Sequence, residues 1–438
     1  MGDDYTLTDL EKWDERICDI SKSCGLDWYP IDYETCDYFE MIGHMSYHGL
    51  PSHFPHWSYG KSFERTHTKY NMGLEGLPYE LIINSDPSIA YLMLENPLYL
   101  QVLIMAHCVG HSDFFKNNRT FKDTSAGTIT SHFRAARKRI QGYIEDPSIG
   151  IDAVESLIDS CHTIQFQIDR RGRFRRTEEE LLVSFYADKE ITNNSSNNLE
   201  PKFPLQPEYD IMYFLLENCK SLKGWEKDII EIIREESYYF FPQIRTKVMN
   251  EGWASFWHYK TMNNLELTDS LHLPFIKTHN QVIRPWGGAL NPYHLGFELF
   301  KKIEKERGIE ECFLAREVHN DESFIMHYVD QEITRDLNLF TYSQKGKKSS
   351  AIWSIDDISD DDGWKECKYA TINNIAGNTI PAIYVDEVSK GTLILRHEHD
   401  GRDLELNYAD NCVKNIQKIW KQPVKLFTII EGEDFEIS

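Results

Sequence analysis

The sequence predicts an α+β protein with a mainly helical N-terminal body, residues 1–348, and a small α+β C-terminal domain, residues 349–438. Apolar residues recur at helical spacing through most of the first part. After the basic turn SQKGKKSS, strand-like apolar runs surround glycine-centred turns. The chain has 438 residues, 41% of them hydrophobic, which is enough for more than one folded core.

The first half of the body alternates predicted helices with turn-rich segments. Helical spacing extends to about residue 40. YELIIN predicts a short strand, followed by a turn at Ser85-Asp86-Pro87 and the start of a helix. The run PLYLQVLIMAHCVGHSDFFKNN begins at a proline suited to a helix N-terminus and stays apolar for about three turns. Further helices are predicted over residues 128–145 and 151–169.

The remaining elements follow a polar break. Residues 187–207 are rich in Asn and Ser and contain three prolines, which predicts a flexible insertion. Helical spacing returns in PEYDIMYFLLENC, GWEKDIIEIIREESYYF, PQIRTKVMNEGWASFWHYKTMN and NPYHLGFELFKKIEKERG. In the C-terminal domain, TIPAIYVDEV, KGTLILRHEHDGRDLE and PVKLFTII predict strands, and YADNCVKNIQKIWKQ predicts a helix.

Composition disfavours several classes of protein. A net charge of −23 opposes binding to nucleic acid and to anionic lipid. No segment reaches the roughly 18 consecutive apolar residues of a membrane span, and the acidic start is unlike a signal peptide. The nine cysteines are scattered without a CxxC pair, which is typical of reduced thiols. We therefore expect a cytoplasmic protein with no membrane span and no nucleic-acid partner.

The stretch HCVGH contains the first candidate metal ligands. His107 and His111 stand at positions i and i+4, so a helix places both imidazoles on one face, where they can share a metal. The alternative is a pair of hydrogen-bonded polar residues on a buried helix. The strongly apolar residues before the pair favour burial, and buried imidazoles need partners.

The stretch NEGWASFWH supplies a carboxylate for the same site. Two histidines and Glu251 leave one coordination position for water, the usual arrangement of catalytic zinc. His258 lies about 10 Å farther along an ideal helix. We therefore expect His258 to be a substrate-facing group, a proton shuttle or a second-metal ligand, rather than a ligand of the same ion. The alternative is an aromatic core helix whose Glu251 hydrogen-bonds a loop.

Two further stretches contain weaker candidates. Glu155 and His162 repeat the seven-residue separation of a carboxylate and a histidine, which favours either chance or a supporting role near the site. His279 lies in the predicted loop IKTHNQVIRPWGG, and loops carry function more often than cores do. Five histidines between residues 44 and 67 lack ligand spacing and are expected at the surface or in hydrogen bonds.

Several long blocks resemble the SpoVR family, named for stage V sporulation protein R. These blocks are YELIINSDPSIAYLMLEN, MAHCVGHSDFFKNN, MNEGWASFWHY, NPYHLGFELF and DESFIMHYVDQEITRDLNLF. They occur in order over roughly residues 10–345, with a weaker C-terminal match. The resemblance implies a link with formation of the spore cortex and the cell envelope, in a family that also occurs in organisms that form no spores.

HCVGH and NEGWA are also similar to the two zinc-binding motifs of gluzincin metallopeptidases. This likeness implies a zincin-like helical core and a divalent metal, zinc, bound by His107, His111 and Glu251. Cys108 stands where those enzymes carry the glutamate that acts as general base. Metal binding therefore carries over, whereas catalysis by the usual base does not.

Two functional hypotheses follow. In the first, the protein is a metal-dependent hydrolase that acts on a protein or on a peptidyl, cell-wall-related substrate. His258, Glu155 and His279 then have acid–base or supporting roles. In the second, it is a non-enzymatic regulator or scaffold of an envelope or stress pathway, and the His/Glu site is structural.

Overall fold

A computed structural model describes residues 5–50, 53–72, 80–172, 176–191, 202–286, 290–345 and 352–438. The described chain is mainly helical with small sheets, which confirms the predicted α+β class. Every helix in these ranges is too short or too polar to cross a lipid bilayer. The zincin-like core stays a prediction. Residues 192–201 of the predicted insertion, and residues 346–350 of the basic turn, lie outside the described ranges.

The elements are numbered in chain order. The helices are α1 Leu7–Ser23, α2 Tyr38–Ser46, α3 Trp57–Asn71, α4 Leu98–Asn117, α5 Ile129–Glu145, α6 Ile151–Thr163, α7 Glu178–Ile191, α8 Ile211–Asn218, α9 Gly224–Arg245, α10 Lys247–Asn264, α11 Asp269–Val282, α12 Pro292–Arg307, α13 Ile309–Val318, α14 Asp321–Tyr328, α15 Gln331–Asp336, α16 Trp364–Asn373 and α17 Leu406–Trp420. The strands are β1 Ile31–Cys36, β2 Leu81–Ile83, β3 Ser88–Met93, β4 Phe340–Lys345, β5 Ile352–Ile358, β6 Ile383–Ser389, β7 Thr392–His397, β8 Val424–Ile430 and β9 Glu433–Ile437.

The chain divides into two compact units, each built from two segments. The first unit comprises Met1–Arg137 and Pro242–Thr379, and the second comprises Lys138–Phe241 and Ile380–Ser438. The boundary predicted from composition, at residue 349, lies within the first unit. That boundary stays a prediction about which part of the chain folds independently.

The small sheet of the first unit has the strand order β1-β3-β2. β1 is parallel to β3, with Ile31 opposite Ser88, and β2 is antiparallel to β3. The helix predicted to start after Pro87 is therefore wrong, because residues 88–93 form the central strand. A central strand is paired on both edges and is largely buried, so its apolar run SIAYLM lacks the alternation that marks exposed strands.

Helices α4, α10 and α12 form the core of the first unit, and small residues let them approach closely. A Cβ added to Gly110 of α4 would lie 2.7 Å from the Cα of Ala254 on α10. A Cβ added to Gly252 of α10 would lie 2.4 Å from the backbone of Gly296 on α12. Because the backbones nearly touch, short side chains on α4 and α10 can meet across the interface.

Two buried carboxylates hold α10 in place. Asp321 accepts hydrogen bonds of 2.9 Å from the backbone N–H groups of Val248 and Met249, which satisfies two donors at the helix start. Asp113 accepts a 2.8 Å hydrogen bond from the indole of Trp253. Burial raises the pKa of Asp321 to about 7, although the two backbone N–H groups oppose this shift.

The second unit contains a four-stranded sheet in the order β6-β7-β8-β9. β6 and β7 are antiparallel, β7 and β8 are parallel, and β8 and β9 are antiparallel. Helix α17 connects the parallel pair and contacts α6. The strand predictions for TIPAIYVDEV and PVKLFTII, and the helix prediction for YADNCVKNIQKIWKQ, are confirmed.

Candidate metal centre

Four side chains of the first unit converge between α4, α10 and the residue before β2. Glu80, His107, His111 and Glu251 each offer one ligand atom, and these atoms lie within 4.8 Å of one another. Nε2 of His107 lies 3.6 Å from Oε1 of Glu80 and 3.8 Å from Oε2 of Glu251. Nε2 of His111 lies 3.5 Å from the same Glu251 oxygen. This grouping is the candidate metal centre.

The donor atoms fit a metal ion because two of them are buried without a hydrogen-bond partner. These atoms are Nε2 of His107 and Oε2 of Glu251. They lie 3.8 Å apart, which is too long for a hydrogen bond. A buried polar atom left unpaired costs about 1–3 kcal/mol. An ion between imidazole nitrogens and carboxylate oxygens removes that cost, and this mixed donor set suits zinc and similar divalent metals.

Neighbouring side chains leave one atom of each ligand facing the centre. Nδ1 of His111 lies 2.8 Å from Oδ1 of Asn250, so Nδ1 donates to the amide oxygen and Nε2 faces the centre. The ammonium of Lys247 donates to Oε1 of Glu251 at 2.9 Å, which leaves Oε2 for the centre. Such outer contacts commonly orient metal ligands.

Electrostatics keep the carboxylate of Glu251 ionised. Burial alone would raise its pKa, but Lys247, His107 and His111 together hold the pKa of Glu251 well below its usual range. Burial would lower the pKa of His111, but Glu251 outweighs burial and the pKa is raised. The centre therefore presents a negative oxygen at neutral pH.

His258 and His279, which were predicted to have acid–base or supporting roles, are linked to His107 by hydrogen bonds in series. Nδ1 of His258 lies 2.7 Å from Nδ1 of His107, and Nε2 of His258 lies 2.7 Å from Nδ1 of His279. Burial, together with His107 and His279, holds the pKa of His258 well below its usual value. Burial and then His107 lower the pKa of His279 to about 4. Both rings are therefore neutral at pH 7.

Tyr293 of α12 completes the wall of the centre. Its ring stacks against that of His107, with centroids 6.3 Å apart and an interplanar angle of 25°. Burial, followed by the nearby carboxylates of Glu251 and Glu80, raises the pKa of Tyr293 well above its usual value. The phenol is therefore protonated beside two carboxylates.

Some predicted residues lie elsewhere. Glu155 belongs to α6 of the second unit and is not among the four cluster residues. Of the histidines between residues 44 and 67, His44 stacks on Tyr91 at 3.9 Å and His53 hydrogen-bonds Tyr59 at 3.2 Å. His279 lies on α11 rather than in the predicted loop, because the helix continues through Pro274 to Val282.

Four residues at the centre were not predicted from the sequence: Glu80, Lys247, Asn250 and Tyr293. Glu80 and Tyr293 are far from both motifs in the chain, and only the fold brings them to the centre. The positions of Asn250 and Lys247 near the centre could have been predicted from the sequence. Asn250 directly precedes Glu251, and Lys247 stands four residues before it, a spacing that places two residues on one helix face.

Comparison with known proteins gives two matches. The family model described as "SpoVR like protein" matches residues 4–379. A relative from Escherichia coli (strain K12), "Uncharacterized protein YcgB", is 32% identical over 478 aligned residues, which cover 97% of this chain and 92% of the relative. No solved structure matches this chain.

Proposed function

The chain belongs to the SpoVR family, and on that premise we propose that it is a metal-dependent hydrolase whose zinc ion is held by His107, His111 and Glu251. The observation that carries this proposal is the pair of buried, unpartnered atoms, Nε2 of His107 and Oε2 of Glu251, that face the same point. Zinc in such a site polarises a carbonyl and lowers the pKa of a water molecule.

Glu80 is the proposed proton acceptor. Its carboxylate lies 3.6 Å from Nε2 of His107, and 14% of its side chain is exposed, the largest exposed fraction among the four side chains of the centre. Cys108, at the position of the missing motif glutamate, does not suit this role because its thiol is buried and burial raises its pKa well above the usual value. Glu80 therefore takes the place that the sequence suggested for His258 or Glu155.

Tyr293 is the proposed donor to the negative charge that develops on substrate oxygen. Its phenol stays protonated because burial and the carboxylates of Glu251 and Glu80 raise its pKa. A fixed donor in a buried site stabilises such charge without having to reorganise.

The proposed substrate is peptidyl material related to the cell wall, and the proposed location is the cytoplasm. The substrate class follows from the family's association with the spore cortex. The location is supported by nine cysteines that are all free thiols, six of them buried.

The metal content of purified protein tests the ligand set. We expect about one equivalent of zinc in the wild type and none in the double variant His107→Ala/His111→Ala. The control His272→Ala changes a histidine of α11 that lies outside the cluster and should keep the metal. Wild-type protein without stoichiometric metal would overturn the proposal, and metal retained in the double variant would move the ligands elsewhere.

Two further variants distinguish a residue needed for substrate turnover from a residue needed for metal binding. Glu80→Gln should keep the zinc but lose turnover of a muropeptide or peptide library by about 10²–10⁴-fold, the usual contribution of general base catalysis. Glu251→Gln should lose the metal. Wild-type turnover in Glu80→Gln would contradict the role of Glu80. The alternative is a non-enzymatic protein with a structural metal site. It would be favoured if metal removal unfolds the first unit and the protein turns over neither muropeptides nor peptides.

A further inference from the structure

Three buried histidines from three helices are linked in series by hydrogen bonds. His107 lies on α4, His258 on α10 and His279 on α11, and each ring is at most 2% exposed. Both links are 2.7 Å long. A series of this kind is not required for packing, since apolar rings would fill the same space without needing partners.

We infer that His258 and His279 are positioning residues for the metal ligand His107. His258 accepts the proton on Nδ1 of His107, and His279 holds His258 in the orientation that accepts it, so that Nε2 of His107 faces the metal. This inference rests on the proposed metal centre. It assigns the two residues a role in metal capture rather than in the reaction itself.

The direction of donation along the three histidines follows from counting the donor and acceptor nitrogens of each ring. A neutral imidazole has one N–H donor and one acceptor nitrogen. When Nε2 of His107 binds a metal, Nδ1 must carry the proton and donate to Nδ1 of His258. Nε2 of His258 then carries the second proton and donates to Nδ1 of His279. With the metal bound, the proton of His279 is therefore on Nε2, and each of the three rings has a single tautomer.

Aromatic neighbours hold the ring of His279, the last of the three histidines. Its ring is stacked on Tyr259 at 4.8 Å and meets the edge of Phe297 at 5.0 Å. Aromatic neighbours hold the ring plane, so Nδ1 stays aimed at His258. The same aromatic setting can accept a phenyl ring, which makes His279→Phe a test that removes the acceptor nitrogen and keeps the packing.

The first measurement is the tautomer of each ring in the zinc-loaded, full-length protein, by long-range ¹H–¹⁵N NMR of ¹⁵N-histidine. We expect the proton on Nδ1 in His107, and on Nε2 in His258 and in His279. A proton on Nε2 of His107, or on Nδ1 of His258, would overturn the inference.

The second measurement is zinc affinity by competition with a chromophoric chelator. His279→Phe should weaken zinc binding by less than the about 10–100-fold that is usual for losing a direct partner of a metal ligand, because His279 acts through His258. His279→Asn, whose Oδ1 stands near the position of Nδ1, should bind more tightly than His279→Phe. His272→Phe, on the same helix, should match the wild type.

The outcomes separate this inference from the proposed function. Wild-type protein that takes up no zinc overturns both. Zinc bound by His279→Phe as tightly as by the wild type overturns the positioning role alone and leaves the metal centre standing. Equal weakening in His279→Phe and His279→Asn, with thermal unfolding unchanged, also contradicts the role of the acceptor nitrogen.

Discussion

At the scale of single residues, Asp321 combines two opposing demands. Its carboxylate satisfies two N–H donors at the start of α10, a place where a negative charge is favoured. It is also 2% exposed, which penalises that charge. Burial is the larger effect, and the pKa rises to about 7.

This conflict predicts a pH-dependent stability. Between pH 4 and pH 7 the folded protein holds a proton on Asp321 that the unfolded chain releases, so its contribution to the free energy of unfolding falls as pH rises. The slope is at most about 1.4 kcal/mol per pH unit. Asp321→Asn should remove this slope. Denaturant unfolding of metal-free wild type and variant across this range measures the difference, and parallel curves would contradict the prediction.

The candidate site was only partly predictable at this scale. His107 and His111 share a helix, so their spacing placed them together, and Glu251 followed from a motif likeness. Glu80 gave no such signal, because a carboxylate beside a short strand has neither periodicity nor motif. The burial that leaves Nε2 of His107 unpaired is a property of the packed core, which spacing alone does not contain.

At the scale of elements, the site depends on how closely three helices approach. Gly252 and Gly296 allow backbone contact between α10 and α12, and Gly110 allows it between α4 and α10. Within a helix a glycine costs up to about 1 kcal/mol relative to alanine. At these positions glycine is required because there is no room for a Cβ.

A pair of alanine substitutions tests this contact. In Gly252→Ala the new Cβ would lie 2.4 Å from the backbone of Gly296, so the helices must separate. We expect the free energy of unfolding to fall by about 1–3 kcal/mol and zinc binding to weaken. Gly60→Ala, in α3, meets open space and should be neutral or stabilising by up to about 1 kcal/mol. Equal effects in the two variants, measured by denaturant unfolding, would argue against the contact.

Element prediction succeeded where periodicity was strong and local. Strands β6, β7 and β8 and helix α17 are where the sequence placed them, whereas β5, α16 and β9 were not predicted. The strand β3 was mistaken for a helix, since a short buried apolar run fits either element. What decides it is pairing with β1, more than fifty residues earlier in the chain.

At the scale of the whole molecule, each unit is assembled from two separated segments. Composition suggested a single boundary near residue 349, because the character of the sequence changes there. The first unit nevertheless uses residues beyond that point: β5 pairs with β4, and α16 contacts α14 and α15. The composition shows the change in element type, and the boundary at residue 349 stays a prediction.

Truncation distinguishes the two divisions. A fragment of residues 1–348 lacks β5 and α16, whereas a fragment of residues 1–379 keeps every element of the first unit. We expect the longer fragment to bind zinc more tightly and to unfold at a higher temperature than the shorter one. Thermal unfolding with and without zinc measures both properties. Equal behaviour of the two fragments would instead support the boundary at residue 349.

The split first unit also has a consequence for how the centre is made. During translation His107 and His111 leave the ribosome first, the whole segment 138–241 follows, and only then does Glu251 emerge. Domains generally fold as units during synthesis. The nascent chain therefore carries Glu80, His107 and His111 long before Glu251 exists, so the proposed metal centre can be completed only after segment 138–241 has been synthesised.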